Sequence, residues 1–150
     1  RLLRKPYSAT PLNGEGAYRF GGRWSSVGTR LAYTAERLSL AMLEYFVHID
    51  PDDPPKDLVL VKADIPDSLP RLKIAVADLP LNWRQSPAPP ELAAAGDRFA
   101  HGRRATILIV PSALAQTDSN WLINPLHPGF SKIRQHPQET FRYDARFFPA

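Results

Sequence analysis

An α+β fold in a single domain spanning residues 1–150 is what the sequence predicts. Its segments read in the order loop, helix, strands, mixed segment, strand, loop and strand, without the regular β-α alternation of a doubly wound sheet. At 150 residues the chain can bury one hydrophobic core but hardly two. With 43% hydrophobic and 23% charged residues it is too apolar to stay disordered. No internal repeat and no interdomain linker interrupts it.

Each element follows from local pattern. Residues 8–30 are rich in Gly, Ser, Thr and Asn and lack apolar periodicity, so they predict loops and short extended pieces. Thr34 is placed to cap a helix over 35–49 (AERLSLAMLEYFVHI), which contains no Gly or Pro and stops before DPDDPP. On that helix Leu38, Met42, Tyr45, Phe46 and Ile49 share one face, extended by Leu43 and Val47, while Arg37, Ala41, Glu44 and His48 share the remaining stripe. The β-branched runs 57–65 (DLVLVKADI) and 105–111 (ATILIVP) predict central strands. Residues 71–76 (RLKIAV) and 140–148 (TFRYDARFF) alternate, and the second predicts a half-buried strand. Within the proline-punctuated stretch 79–104, PELAAAGDRFA suggests a short helix.

Composition narrows the function classes. There is no cysteine, which excludes disulfides and thiolate metal sites, and the four histidines at 48, 101, 127 and 136 are scattered, so no metal site is expected. No segment is long and apolar enough to span a bilayer, and cytoplasm is the default compartment. Net charge is +4, and the excess sits in residues 1–37, where seven Lys and Arg face only Glu15 and Glu36. Such a surplus suits a phosphate-bearing partner, although a solvated basic surface explains it equally well.

Familiar motifs are mostly absent. GEGAYRFGG has Arg19 where a dinucleotide fingerprint needs its third glycine, and no strand precedes it. Ser112, Asp118 and His127 have the residue types of a nucleophilic triad, but spacing alone establishes no hydrogen bond among them. Ser112, after a strand and Pro111, has the simpler reading of a turn or cap residue. Arg23 follows two glycines and precedes Trp24, a setting suited to an anion, or else an ordinary exposed loop. Tyr33, at the end of the extended stretch TRLAYT, either faces a ligand ring or fills the core. Asn124 and the prolines of NPLHP make turns with or without a ligand.

Taken in order, "GEGAYRFGGRWSSVGTRLAYTAERLSLAMLEYFVHID", "VPSALAQTDSNWLINPLHP" and "FRYDARFF" resemble the RES domain family, whose members include toxins of bacterial toxin–antitoxin pairs. The resemblance covers nearly the whole chain. It implies an ADP-ribosyltransferase-like fold, central mixed β-sheets flanked by helices, that binds NAD⁺ and breaks its nicotinamide–ribose bond. NAD⁺ enters as substrate, with no prosthetic group. The expected product is NAD⁺ depletion by a glycohydrolase or phosphorylase, with an ADP-ribosyltransferase acting on a protein as the alternative.

The same resemblance implies the roles. Glu44 binds the ribose hydroxyls and stabilises the oxocarbenium-like centre that a departing pyridinium leaves behind. Tyr33 packs on the nicotinamide or positions the ribose, and Arg23 pairs with the pyrophosphate. Arg1, with Arg4 as the alternative, supplies a second phosphate contact, and Asn124 joins the binding set. Ser112 either hydrogen-bonds near the nicotinamide or braces the arginines. The implied partner is a helix-turn-helix, Xre-like antitoxin, with no membrane and no direct nucleic-acid contact. Two other classes compete, an RNA-binding or RNA-cleaving toxin and a non-enzymatic partner-binding module. No RNA-recognition module is legible around Tyr18, Phe20 and Trp24.

Overall fold

The computed structural model describes residues 1–148. The order is β1 (Leu2–Arg4), α1 (Glu15–Phe20), β2 (Ala32–Ala35), α2 (Leu38–Phe46), β3 (Leu58–Leu60), β4 (Ala63–Asp64), β5 (Arg71–Lys73), α3 (Pro90–Gly102), β6 (Ile107–Pro111), β7 (Ser119–Ile123), β8 (Arg134–Gln135) and β9 (Glu139–Thr140). Short 3-10 turns lie between them.

The central sheet has the strand order β2-β7-β6-β5. Its first three strands are antiparallel, whereas β5 runs parallel to β6 and needs the long crossover that α3 provides. Side chains alternate across the sheet, so each ladder row belongs to one face. Tyr33, Leu122 and Leu108 form one such row, and this face buries Leu108, Val110 and Leu122 against Trp24, Leu31, Trp83, Leu92 and Phe99. The next row, Ala32, Ile123 and Ile107, points the other way and packs with Leu12, Ile65, Phe130 and Ile133. The β-branched content of 107–111 thus fills both faces of a central strand.

A second sheet, β1-β3-β9, and the pair β4-β8 complete the fold. It is a mixed α+β architecture, as the element order predicts. The run 57–65 splits into β3 and β4, because Val61 and Lys62 pass between two different partners, β1 and β8.

Four local expectations are corrected. Residues 15–20 form a helix rather than a loop; it buries only Ala17, too little for a periodic signal, and Glu15 pairs with both Arg19 (2.6 Å) and Arg30 (2.5 Å). The helix expected over 35–49 is only Leu38–Phe46: Thr34 belongs to β2, where its hydroxyl donates to the Trp121 carbonyl at 2.6 Å instead of capping. Residues 90–102 make the longest helix, not a short one. The expected strand 140–148 reduces to Thr140 at the end of β9, followed by a 3-10 turn at Ala145–Phe147. Its aromatics are spent on α2, with the Phe46 ring 5.7 Å from Tyr143 and 5.3 Å from Phe147.

The burial of α2 also departs in part from the expected pattern, with Met42, Tyr45, Phe46 and Ile49 half-buried. Leu40 and Ala41 are buried, while Leu38, Leu43 and Val47, expected in the core, are exposed. The helix rests on β1 and β2 through a face that includes Ala41 and the half-buried Glu44. Of the expected polar stripe, Ala41 and Glu44 therefore turn inward, while Arg37 and His48 stay exposed.

A candidate active site on the central sheet

Glu44 is held by two elements far away in sequence. Ser112, at the end of β6 and fully buried, donates its hydroxyl to Glu44 Oε1 at 2.8 Å, and Asn120 of β7 donates Nδ2 to the same oxygen at 2.6 Å. Ser112 Oγ itself accepts from the amides of Leu114 and Ala115, both at 3.1 Å, which leaves its proton for the carboxylate. Charge-assisted bonds of this kind are among the strong ones. Oε2 accepts from no described residue, so half of the carboxylate is uncommitted to the protein.

Asn120 was not legible as a site residue. Its only signal is placement: it lies opposite Ala35 on β2, and Tyr33 is two residues along the same strand and therefore on the same face. That spacing is about 7 Å, so Tyr33 and Asn120, the residue that binds Glu44, stand in neighbouring rows of one sheet face.

Tyr33 reaches the next loop. Its hydroxyl accepts from the Trp24 amide at 2.9 Å and shares a 2.9 Å hydrogen bond with Ser25 Oγ. Burial pushes the phenol above its ordinary value despite these two bonds, so it stays neutral. A Cβ on Gly22 would lie 2.7 Å from the Tyr33 oxygen, which is why a glycine stands there. The loop is tied back by the Gly22–Ser25 bridge and by Asp97 of α3, whose Oδ1 accepts from the Ser26 amide at 3.0 Å. Burial pushes the Asp97 carboxyl up, but hydrogen bonds from Ser26 and Thr29 outweigh it and leave the group below the ordinary carboxylate value. Beside it, Gly96 lets α3 approach so closely that a Cβ would sit 1.7 Å from the Trp24 carbonyl.

This braced loop carries Arg23. Arg23 Nη1 donates to the carbonyls of Trp83 (2.7 Å) and Gln85 (3.1 Å), and no acid pairs with it among the described residues. Its charge is oriented but not neutralised.

The remaining expected residues make other contacts. Arg1 Nη1 donates to the Pro11 carbonyl at 2.7 Å, its backbone carbonyl accepts from Val61, and it hydrogen-bonds to none of the site residues. Arg4 pairs with Asp57 at 2.8 Å. Asn124 is fully buried at the far end of β7, with Nδ2 on the Ala100 carbonyl of α3 and Oδ1 accepting from Leu126, so its amide ties the turn to that helix. His127 Nδ1 accepts from the Gly129 amide at 2.9 Å and lies 2.8 Å from Thr106 Oγ1, which makes it the cap of the 3-10 turn at Pro128–Lys132. The polar groups of NPLHP thus bond within the protein. A triad of Ser112, Asp118 and His127 is excluded, because Ser112 and His127 spend their groups on different partners. Ser112 braces Glu44, a contact that the expected roles did not include. Among the described residues no three His, Asp or Glu side chains converge as a metal site would require, and no helix is long and apolar enough to cross a membrane.

A mixed sheet with a helix-borne glutamate over one face and an arginine loop beside it defines an ADP-ribosyltransferase-like fold. Among solved structures, the M. tuberculosis MbcT–MbcA toxin–antitoxin complex has a chain that matches with a TM-score of 0.73, covering 94% of this chain and 81% of that one at 19% identity. The RES domain model matches residues 1–144, and the chain belongs to the RES domain family. Relatives include the Prs ADP-ribosylating toxin of Sphingobium sp. strain YBL2, 35% identical over 95% of this chain and 89% of that one. Toxin Res of Yersinia enterocolitica is likewise 35% identical, over 97% of this chain and 96% of its own length. Toxin Res of Pseudomonas putida is 36% identical, over 91% and 92%.

Proposed function

We propose that this chain is the toxin of a toxin–antitoxin pair and that it binds NAD⁺ and cleaves the bond between nicotinamide and ribose. The observation that carries this is the half-committed carboxylate of Glu44, oriented through Oε1 and uncommitted at Oε2. When the C–N bond breaks, its electron pair goes to the pyridinium nitrogen and nicotinamide leaves neutral. Positive charge then develops at the ribose anomeric carbon. A preorganised carboxylate stabilises it without reorganising during the step. Oε2 of Glu44 is the group that would hold the ribose hydroxyls, Tyr33 shapes the floor beside it, and Arg23 meets the diphosphate. The acceptor then attacks the anomeric carbon and loses its proton. With water this is a glycohydrolase, with phosphate a phosphorylase.

Transfer to a protein side chain is the second reading, favoured by the relative named an ADP-ribosylating toxin. The partner is a small antitoxin with a helix-turn-helix domain, in line with the toxin–antitoxin assembly of the structural neighbour.

The test is incubation of purified protein with NAD⁺, with and without inorganic phosphate, following nicotinamide and ADP-ribose products by mass spectrometry beside Glu44→Gln. Glu44-dependent nicotinamide release is expected. Equal release by Glu44→Gln would remove the proposed role. No release without lysate, followed by label transfer from NAD⁺ to a lysate protein, would favour the second reading.

A further inference from the structure

Two guanidinium groups contact Trp83, one at its carbonyl and one at its ring, and neither has an acid among the described residues. Trp83 is the buried plug of an otherwise exposed strap, residues 81–87, that leads into α3. Its carbonyl and that of Gln85 occupy Nη1 of Arg23. The Nε–Nη2 edge of Arg23 has no protein acceptor among the described residues. That edge is a side-on fork whose geometry matches two phosphate oxygens. The next residue along the strap, Arg84, is exposed, and its guanidinium carbon lies 4.9 Å from the centroid of the Trp83 ring. Apart from that cation–π contact it has no hydrogen-bond or ion-pair partner among the described residues.

Elsewhere the protein pairs five arginines with acids: Arg4 with Asp57, Arg19 and Arg30 with Glu15, Arg71 with Asp67, and Arg146 with Asp144. At Trp83 it places two cations beside one residue with no acid to offset them. Two such cations suit a ligand that carries two negative charges.

We propose that Arg84 is a second diphosphate-binding residue, gripping the NAD⁺ diphosphate together with Arg23. Arg23 engages it through the Nε–Nη2 edge, and Arg84 through the guanidinium that Trp83 holds by its indole face. The assignment rests on the NAD⁺ reading of the Glu44 site and adds to it the residue that selects for a dinucleotide. A diphosphate fits better than a single carboxylate because the two cations approach from separate points on the strap and the loop.

The experiment measures equilibrium binding of ADP-ribose, which carries the diphosphate but no scissile bond, to the wild-type chain and to Arg84→Ala, Arg84→Lys and Arg84→Glu. Melting temperatures check the fold, which an exposed residue should leave unchanged. The expected result is a dissociation constant raised about tenfold in Arg84→Ala, more in Arg84→Glu and less in Arg84→Lys, the range for a charge-assisted contact. In the NAD⁺ reaction KM should rise in parallel while kcat stays within about twofold, the split of a uniform binding contact. A dissociation constant for ADP-ribose that is the same in all four proteins would overturn the proposal, as would failure of the wild type to bind ADP-ribose. Arg84-dependent binding of single-stranded RNA in place of ADP-ribose would overturn it in favour of a nucleic-acid site. Arg84-dependent ADP-ribose binding without any nicotinamide release would support the clamp while removing the cleavage reading, so the two failures are distinguishable.

Discussion

Asn120 Nδ2 lies 2.6 Å from Glu44 Oε1, the same oxygen that takes the Ser112 hydroxyl at 2.8 Å. One carboxylate oxygen is thus spent on orientation. Replacing Asn120 with Ala should lower kcat by about tenfold while KM stays nearly unchanged, because the loss is in alignment at the transition state. Asn120→Asp should lower it further, since a second carboxylate then faces Glu44. Steady-state kinetics on NAD⁺ read both, and wild-type turnover in Asn120→Asp would rule out the positioning role.

Gly96 is where α3 touches the loop that carries Arg23. A Cβ there would stand 1.7 Å from the Trp24 carbonyl, a contact that backbone must move to relieve. Gly96→Ala should cost about 3 kcal/mol in urea unfolding, the upper range for overpacking. The displaced loop should also weaken ADP-ribose binding.

Tyr33→Phe keeps the ring and removes the hydroxyl. The Trp24 amide and Ser25 Oγ then lose their shared partner in a half-buried setting. Destabilisation of about 1–3 kcal/mol follows from an unsatisfied buried donor. The KM for NAD⁺ should rise because the loop positions Arg23. An unchanged midpoint of unfolding would show that the loop does not depend on this phenol.

Tyr143 anchors the helix that bears Glu44 by donating to the Met42 carbonyl at 2.7 Å. Burial first, and the nearby Tyr45 second, push its phenol from 10.0 up to about 12. A folded value above the unfolded one means that this stability is fully present below pH 10.0 and is lost as pH rises toward about 12. Tyr143→Phe should therefore lower the melting temperature at neutral pH and flatten its alkaline decline. Melting curves across that window decide it; an equally steep decline in the variant would assign the loss to other groups.

Local pattern made the α+β class legible, together with the central strand 107–111 and the α2 helix core around 38–46, since each rests on runs of neighbouring residues. The ordered motifs also singled out Arg23, Tyr33, Glu44 and Ser112 as candidates, and of these the fold joins Ser112 to Glu44. Periodicity could not show which face of α2 turns inward. The apolar side of that helix is partly exposed at Leu38, Leu43 and Val47, and its inward face carries Ala41 and Glu44 because two sequence-distant donors wait there. The same limit hid Asn120, whose bond to Glu44 spans 76 positions, and the meeting of Arg23 with the strap at Trp83, which spans 60. The C-terminal aromatics alternate like a strand, yet α2 offered them a better burial than a sheet edge did. Sequence by itself determined which residue types were available and on which local element each stands. Tertiary structure alone decided which of them share a hydrogen bond, because that depends on strand register and helix rotation, and both are settled by burial summed over the whole core.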